Sequence, residues 1–236
     1  MRIAAIGDLH VNETMTQPYR QLFCDMSREA DFILLCGDLT NYGKSSEAEI
    51  LASDLAAATA PVIAVLGNHD HESGRPETVK EILTHAGARI LDAGEAVEHE
   101  GVGFAGCMGA MGGFGRGMLS AFGESSVKTF VQACLEETMK LETGLRMLRT
   151  DRAVAVLHYA PIVGTLDGEP LEILPFLGNS RLAETIDRFD NVKAVFHGHA
   201  HRGVHRGATP GGAPVYNVAR SVMAALGERP YALVEV

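Results

Sequence analysis

The sequence predicts an α/β domain built on a largely parallel sheet with helices packed on its faces. Three observations carry that expectation. Five short apolar runs recur along the chain, and each breaks into a polar turn containing glycine or histidine. None of the runs alternates, which is how strands buried on both faces read. Between the first three runs lie segments with helical spacing, and strand–helix–strand order marks a parallel sheet.

The elements follow in order. RIAAI leads into Gly7-Asp8-Leu9-His10, FILLC into Gly37-Asp38-Leu39-Thr40-Asn41, and VIAVL into Gly67-Asn68-His69-Asp70. Ser46 and Glu49 have the spacing of a capping box ahead of Ile50, Leu51 and Leu55. Pro76 suits a first helical position, followed by Val79, Ile82 and Leu83. Residues 95–106 read as a hairpin, and residues 107–123 as a glycine- and methionine-rich loop. A long helix is expected at about residues 125–149, with Val127, Phe130, Val131, Cys134, Leu135, Thr138, Leu141, Leu145 and Leu148 on its apolar stripe. AVAVL then runs into His158-Tyr159-Ala160-Pro161, and KAVF into His197-Gly198-His199-Ala200-His201. VHRGA, PVYNVA and YALVEV close the chain as short strands. With no repeat or linker, residues 1–236 read as a single domain.

Composition narrows the function. The chain is 46% hydrophobic and 21% charged, as a globular protein with a sizeable core should be. Twenty basic against thirty acidic side chains leave a formal charge of −10, which disfavours large nucleic acids as partners. No apolar run approaches the ~20 residues needed to span a bilayer, and MRIAAIGDLH does not read as a signal peptide. Four scattered cysteines without a C-x-x-C read as reduced thiols, and a cytoplasmic location is expected. Gly101, Gly103 and Gly106 match G-x-G-x-x-G but lie in the hairpin, without the strand and helix a dinucleotide site needs.

In parallel sheets, ligands bind outside the carboxyl ends of the strands. All five polar clusters occupy such ends, so carboxylates, an amide and imidazoles are expected to converge on one edge of one sheet. Turn chemistry explains any one cluster. Five together crowd groups that would repel or waste desolvation energy without a cation between them. The candidates are Asp8, His10, Asp38, Asn68, His158, His199 and His201. Seven donors exceed what one ion takes and suggest two ions sharing a carboxylate. Nitrogen and oxygen donors without thiolate favour manganese, iron or zinc. Two divalent ions against two carboxylates make the site locally positive, suited to phosphate.

The ordered set Asp8-x-His10, Gly37-Asp38, Gly67-Asn68-His69-Asp70, His158 and Gly198-His199-x-His201 resembles the calcineurin-like metallophosphoesterase family. The resemblance implies a four-layer α/β/β/α sandwich of two mixed sheets, the hairpin and the strands after residue 201 belonging to the second. It also implies phosphoester hydrolysis at a binuclear centre of divalent or mixed-valence ions. Asp8, His10 and His201 resemble the ligands of one metal, Asn68, His158 and His199 those of the other, and Asp38 the bridge. His69 resembles the histidine beside the leaving group and Asp70 the carboxylate that orients it, with a metal-bridging hydroxide as nucleophile. Asn41 stands where many members carry aspartate and is expected to hold the local turn.

The expected activity is therefore a small-molecule phosphodiesterase or phosphomonoesterase, and His10 points towards competence for diesters. A non-catalytic metal-binding scaffold of the same fold is the alternative, disfavoured because every ligand candidate is present. Among the arginines, Arg75, Arg116, Arg181 and Arg202 are candidates to meet the phosphate, Arg202 first because it adjoins His201. The loop at 107–123 is expected at the pocket rim as a candidate lid, with Met108, Met111 and Met118 offering apolar contact to the organic group.

Overall fold

A computed structural model describes residues 1–227 and 229–236. Among the described residues, eleven strands form two sheets rather than one. The first takes β1 (Arg2–Ile6), β2 (Phe32–Cys36), β3 (Val62–Val65) and β4 (Ala88–Ile90), all parallel, with β11 (Ala232–Glu235) antiparallel to β1. The second runs in the order β5 (Ala96–His99), β6 (Val102–Cys107), β7 (Arg152–Leu157), β8 (Val192–His197), β10 (Pro214–Asn217) and β9 (Arg206–Ala208).

Two sequence expectations are corrected here. The five clusters do not share one sheet: three end strands of the first sheet and two end β7 and β8 of the second. A continuous apolar run reports burial on both faces, not which sheet provides it. The last strand also joins the first sheet, where Ile3 faces Val234, and not the second.

Three apolar layers explain the stacking. Outside the first sheet, Ile6, Ile33 and Leu35 meet Phe23 and Met26 of α1 (Arg20–Glu29), Leu51 of α2 (Ser45–Leu55) and Leu83 of α3 (Pro76–His85). Between the sheets, Ile3, Leu34, Ile63 and Val65 pack on Phe104, Val154, Val156 and Phe196. Outside the second sheet, Ala155 and Leu157 meet Leu141 and Leu145 of α4 (Ser125–Met147) and Leu182 and Ile186 of α5 (Ser180–Ile186). Helix, sheet, sheet, helix is the expected four-layer sandwich. Each buried Leu, Ile or Phe contributes about 1.5–3 kcal/mol, so the middle layer holds the sheets in fixed relation.

Local chemistry accounts for the elements. Glu100 and Gly101 turn the β5–β6 hairpin, both at positive φ (46° and 79°), as a tight two-residue hairpin turn requires. Pro76 does open α3. The acid that caps α2 is Glu47, not Glu49: its carboxylate accepts from the backbone N–H of Tyr42 (2.8 Å) and Lys44 (3.3 Å). Ser46 instead donates to Glu13 (2.8 Å), because the helix starts two residues earlier than the motif suggests, with Lys44 at the N-cap. The stripe of α4 is buried from Val131 onward, while Phe130 stays partly exposed.

The loop at 107–123 is tied down. Gly112 donates to the Pro175 carbonyl (2.8 Å), Gly113 to that of Gly178 (2.9 Å), and the Asn179 side chain to that of Ala110 (2.6 Å). Met108 and Met111 turn inward onto the outer core of the second sheet. The sequence also concealed α6 (Arg220–Leu226), a short helix between β10 and β11. No helix among the described residues is long and apolar enough to cross a membrane.

Candidate metal centre

Because the sheets stack face to face, the strand ends of both reach one place. Asp8 and His10 follow β1, Asp38 follows β2, Asn68 follows β3, His158 follows β7, and His199 and His201 follow β8. Three overlapping groups result: Asp8, His10 and His201; His10, Asp38 and His69; and Asp38, His158 and His199, each with donor atoms within 4.8 Å of one another. His10 and Asp38 each belong to two groups.

The turns that bring them together are strained. Asp8 (φ 59°), His10 (46°), Asp38 (50°) and His199 (66°) all lie in the left-handed region that non-glycine residues avoid. Backbone in such regions costs of order 1–3 kcal/mol per residue and persists where the surroundings impose it, typically at functional sites. Two glycines permit the close approach. A Cβ on Gly67 would lie 2.3 Å from both the backbone N and Oδ1 of Asp38, and one on Gly37 would lie 2.4 Å from Nδ1 of His158.

Hydrogen bonds orient the donors. His158 is fully buried, and its Nδ1 donates to the Cys36 carbonyl at 3.0 Å. That tautomer leaves Nε2 with a lone pair, 2.9 Å from Asn68 Oδ1 and 3.3 Å from Asp38 Oδ1. Three lone-pair atoms facing one another need a cation among them. Nε2 of His199 donates to the Phe176 carbonyl (3.2 Å), which leaves its Nδ1 as the free nitrogen. Both ring nitrogens of His10 are buried without a hydrogen-bond partner, and its Nε2 lies 3.8 Å from Asp38 Oδ2. An orphaned imidazole beside a buried carboxylate is the donor chemistry a divalent transition metal satisfies. The residues fit a pair of such ions.

The electrostatics agree. Burial holds His10 below its ordinary pKa, and burial with the neighbouring His158 pushes His199 down to about 3, so both stay neutral. Burial would raise the Asp8 carboxyl, but the hydrogen bond from His201 brings it below the usual range. The same bond, 2.9 Å from Nε2 to Asp8 Oδ1, raises His201. A metal taken by this pair displaces that proton.

The family model for calcineurin-like phosphoesterases matches residues 1–203. The chain belongs to this family. Among solved structures, the phosphoesterase resembles a phosphopantetheinyl hydrolase from Mycobacterium tuberculosis at 16% identity and TM-score 0.70, over 98% of this chain and 95% of that one. It also resembles a dimetal phosphatase from Danio rerio at 14% identity and TM-score 0.62, over 99% and 91% respectively. At these identities the likeness speaks for the fold. No curated protein matches the chain.

Within this phosphoesterase His69 is held differently from expectation. Nδ1 of His69 donates to the backbone carbonyl of Asn41 at 2.8 Å, and its backbone N–H donates to Asp38 Oδ1 at 2.8 Å. Asp70 does not orient the ring. Its buried carboxylate accepts from the N–H of Leu39 (3.1 Å), Thr40 (2.7 Å) and Gly67 (2.8 Å) and from the Thr40 hydroxyl (2.6 Å). Asp70 thus ties the Asp38 turn to the Asn68 turn, while the backbone of Asn41 aims His69. The asparagine holds its place through its main chain, so the change from aspartate leaves that contact intact.

A cavity of about 360 Å³ opens on the Asp8, His10 and His201 group, with Asn41, Ser221 and Arg220 also on its wall. A larger apolar cavity of about 650 Å³, lined by Phe114, Pro161, Ile162 and Val163 among others, touches none of the donors. Donor chemistry rather than size therefore marks the site. Of the arginines singled out by sequence, Arg75 lines a separate cavity with Lys44 and Ser73, and Arg181 braces the Leu119 carbonyl (3.2 Å). Arg116 lies exposed on the short turn Gly115–Gly117. Arg202, exposed, presents its backbone N–H to Glu169 (2.7 Å). Arg220, 19 positions beyond His201 in sequence, is seated by the fold in the same cavity, a placement that sequence adjacency does not signal.

Proposed function

We propose that the chain hydrolyses small phosphoesters, monoesters or diesters, at a centre of two divalent transition-metal ions. One observation supports the reading: buried Asp38 belongs to two donor groups at once, one with His10 and His69 and the other with His158 and His199. Asp8, His10 and His201 would hold one ion, Asn68, His158 and His199 the other, and Asp38 both. Manganese, iron and zinc suit this donor set. Bound there, the ions supply charge stabilisation for the phosphoryl oxygens and an acidified water.

The remaining work falls to the chain's own groups. Asn68 presents its carbonyl oxygen beside His158 and keeps its amide N–H free for a phosphoryl oxygen. His69, its Nδ1 committed to Asn41, turns Nε2 towards the departing ester oxygen and hands it a proton. Asp70 keeps the two loops in register through its four donors, so that His69 and Asp38 hold their separation. The four strained turns keep the donors placed before substrate arrives. The small cavity and the acidic surface suit a compact substrate and not a nucleic-acid duplex.

The test is turnover of p-nitrophenyl phosphate and bis-p-nitrophenyl phosphate by protein reconstituted with manganese. Hydrolysis of at least one, abolished by chelation, is expected. Turnover of neither by protein with a full metal complement overturns the proposal.

A further inference from the structure

The donor set leaves one cation of the cavity unused. Arg220 shares the wall of the 360 Å³ cavity with Asp8, His10 and His201. Its guanidinium donates to the Tyr19 hydroxyl and lies 5.8 Å from the centroid of that ring. The buried Tyr19 hydroxyl in turn donates to the carbonyl of Leu9 (2.5 Å), the residue between Asp8 and His10. From the other side, the Ser221 hydroxyl donates to the carbonyl of His201 (2.7 Å). The arginine is thus referenced at two points to the loops that carry the ligands.

Among the described residues no carboxylate pairs with Arg220. In a chain of net charge −10, this exposed arginine carries no carboxylate partner and is held instead by a buried phenol. One of its five donors is committed to Tyr19, and the others remain for an anion in the cavity.

We propose that Arg220 binds the second negative charge of a terminal phosphoryl group, so that the centre favours phosphomonoesters over phosphodiesters. A monoester carries about −1.5 to −2 charges near neutral pH and three free phosphoryl oxygens, whereas a diester carries one charge and two. The guanidinium fork matches two phosphate oxygens at once, and its preference therefore grows with the extra charged oxygen. Competence for diesters, to which His10 contributes, is compatible with this; Arg220 sets the ratio. The inference rests on the phosphoester-hydrolase reading above.

The experiment compares the wild-type protein with Arg220→Gln and Arg220→Lys, all manganese-loaded, on the two p-nitrophenyl esters, which share a leaving group. Calorimetry with inorganic phosphate and with dimethyl phosphate runs in parallel, and melting curves and metal content establish that the variants are folded and loaded. Arg220→Gln is expected to lower kcat/KM for the monoester by about tenfold or more and for the diester by less than about threefold. It should weaken phosphate binding about tenfold and leave dimethyl phosphate unchanged. Arg220→Lys, which keeps the charge without the fork, should recover part of the monoester loss. Equal losses on both esters, or undiminished phosphate affinity in Arg220→Gln, overturn the inference. If the wild type turns over neither ester, the hydrolase reading fails, while the calorimetry still decides whether Arg220 binds the anion.

Discussion

Nδ1 of His69 lies 2.8 Å from the carbonyl oxygen of Asn41, so a main-chain group and not a side chain aims the imidazole at the centre. Replacing the Asn41 side chain should therefore matter little. Asn41→Ala is expected to keep kcat within about threefold, whereas His69→Ala should lose roughly 10²–10⁴-fold, the usual contribution of a proton-transfer group. His69→Ala should still hold two metals per chain. Loss of one ion in that variant would make His69 a ligand, and a loss in Asn41→Ala as large as in His69→Ala would return the aiming role to the side chain.

Gly67 offers a steric test of the bridging position. Adding a methyl group there places it 2.3 Å from Asp38 Oδ1 and from the Asp38 backbone nitrogen. Gly67→Ala should cost about 1–3 kcal/mol in stability through overpacking, and it should weaken metal retention because Asp38 must move. Gly117→Ala, where a Cβ meets nothing within 4 Å, serves as the comparison and should change stability by less than about 0.5 kcal/mol. Melting curves with and without added metal read both effects. Equal behaviour of the two variants would remove the claim that Gly67 exists for close approach.

The donor residues were legible because each follows an apolar run, and a sheet delivers its strand ends to one edge. Asp8, Asp38 and Asn68 could be placed from that rule alone, and the family resemblance divided the seven donors between two ions. The partition of runs between sheets was not legible. AVAVL and RIAAI are equally apolar, and only tertiary pairing puts one in each sheet. Glu47 was overlooked in favour of Glu49 because a capping motif shifted by two residues looks as good on paper. Arg202 adjoins His201 in sequence, but His201 lines the cavity and Arg202 does not. The fold brings Arg220 in from beyond β10 instead. Signals carried by backbone, such as the Asn41 carbonyl on His69, leave no trace in residue type.

Acid should weaken the fold through His197. This imidazole is fully buried, with Nε2 2.8 Å from the Thr165 hydroxyl and Nδ1 2.8 Å from the Gly198 carbonyl. Burial lowers its pKa from 6.5 to about 4. The unfolded chain then takes up a proton before the folded chain does, so the stability present above pH 6.5 is lost as pH falls towards about 4. At 1.36 kcal/mol per unit the loss is roughly 3 kcal/mol from this one group. Urea unfolding of chelator-treated protein across that window should show a shallower pH slope in His197→Gln than in the wild type. Identical slopes, or an imidazole C2 proton of His197 titrating near pH 6.5 by NMR, would contradict the assignment.

The most direct measurement is metal content by elemental analysis of protein dialysed after manganese loading, compared with single-ligand variants. A shared carboxylate makes the stoichiometries unequal. About two ions per chain are expected for the wild type, about one each for His10→Ala and His199→Ala, and close to none for Asp38→Ala, because both ions lean on that side chain. A wild type that saturates at one ion, or an Asp38→Ala protein that retains two, would contradict a paired centre bridged by Asp38.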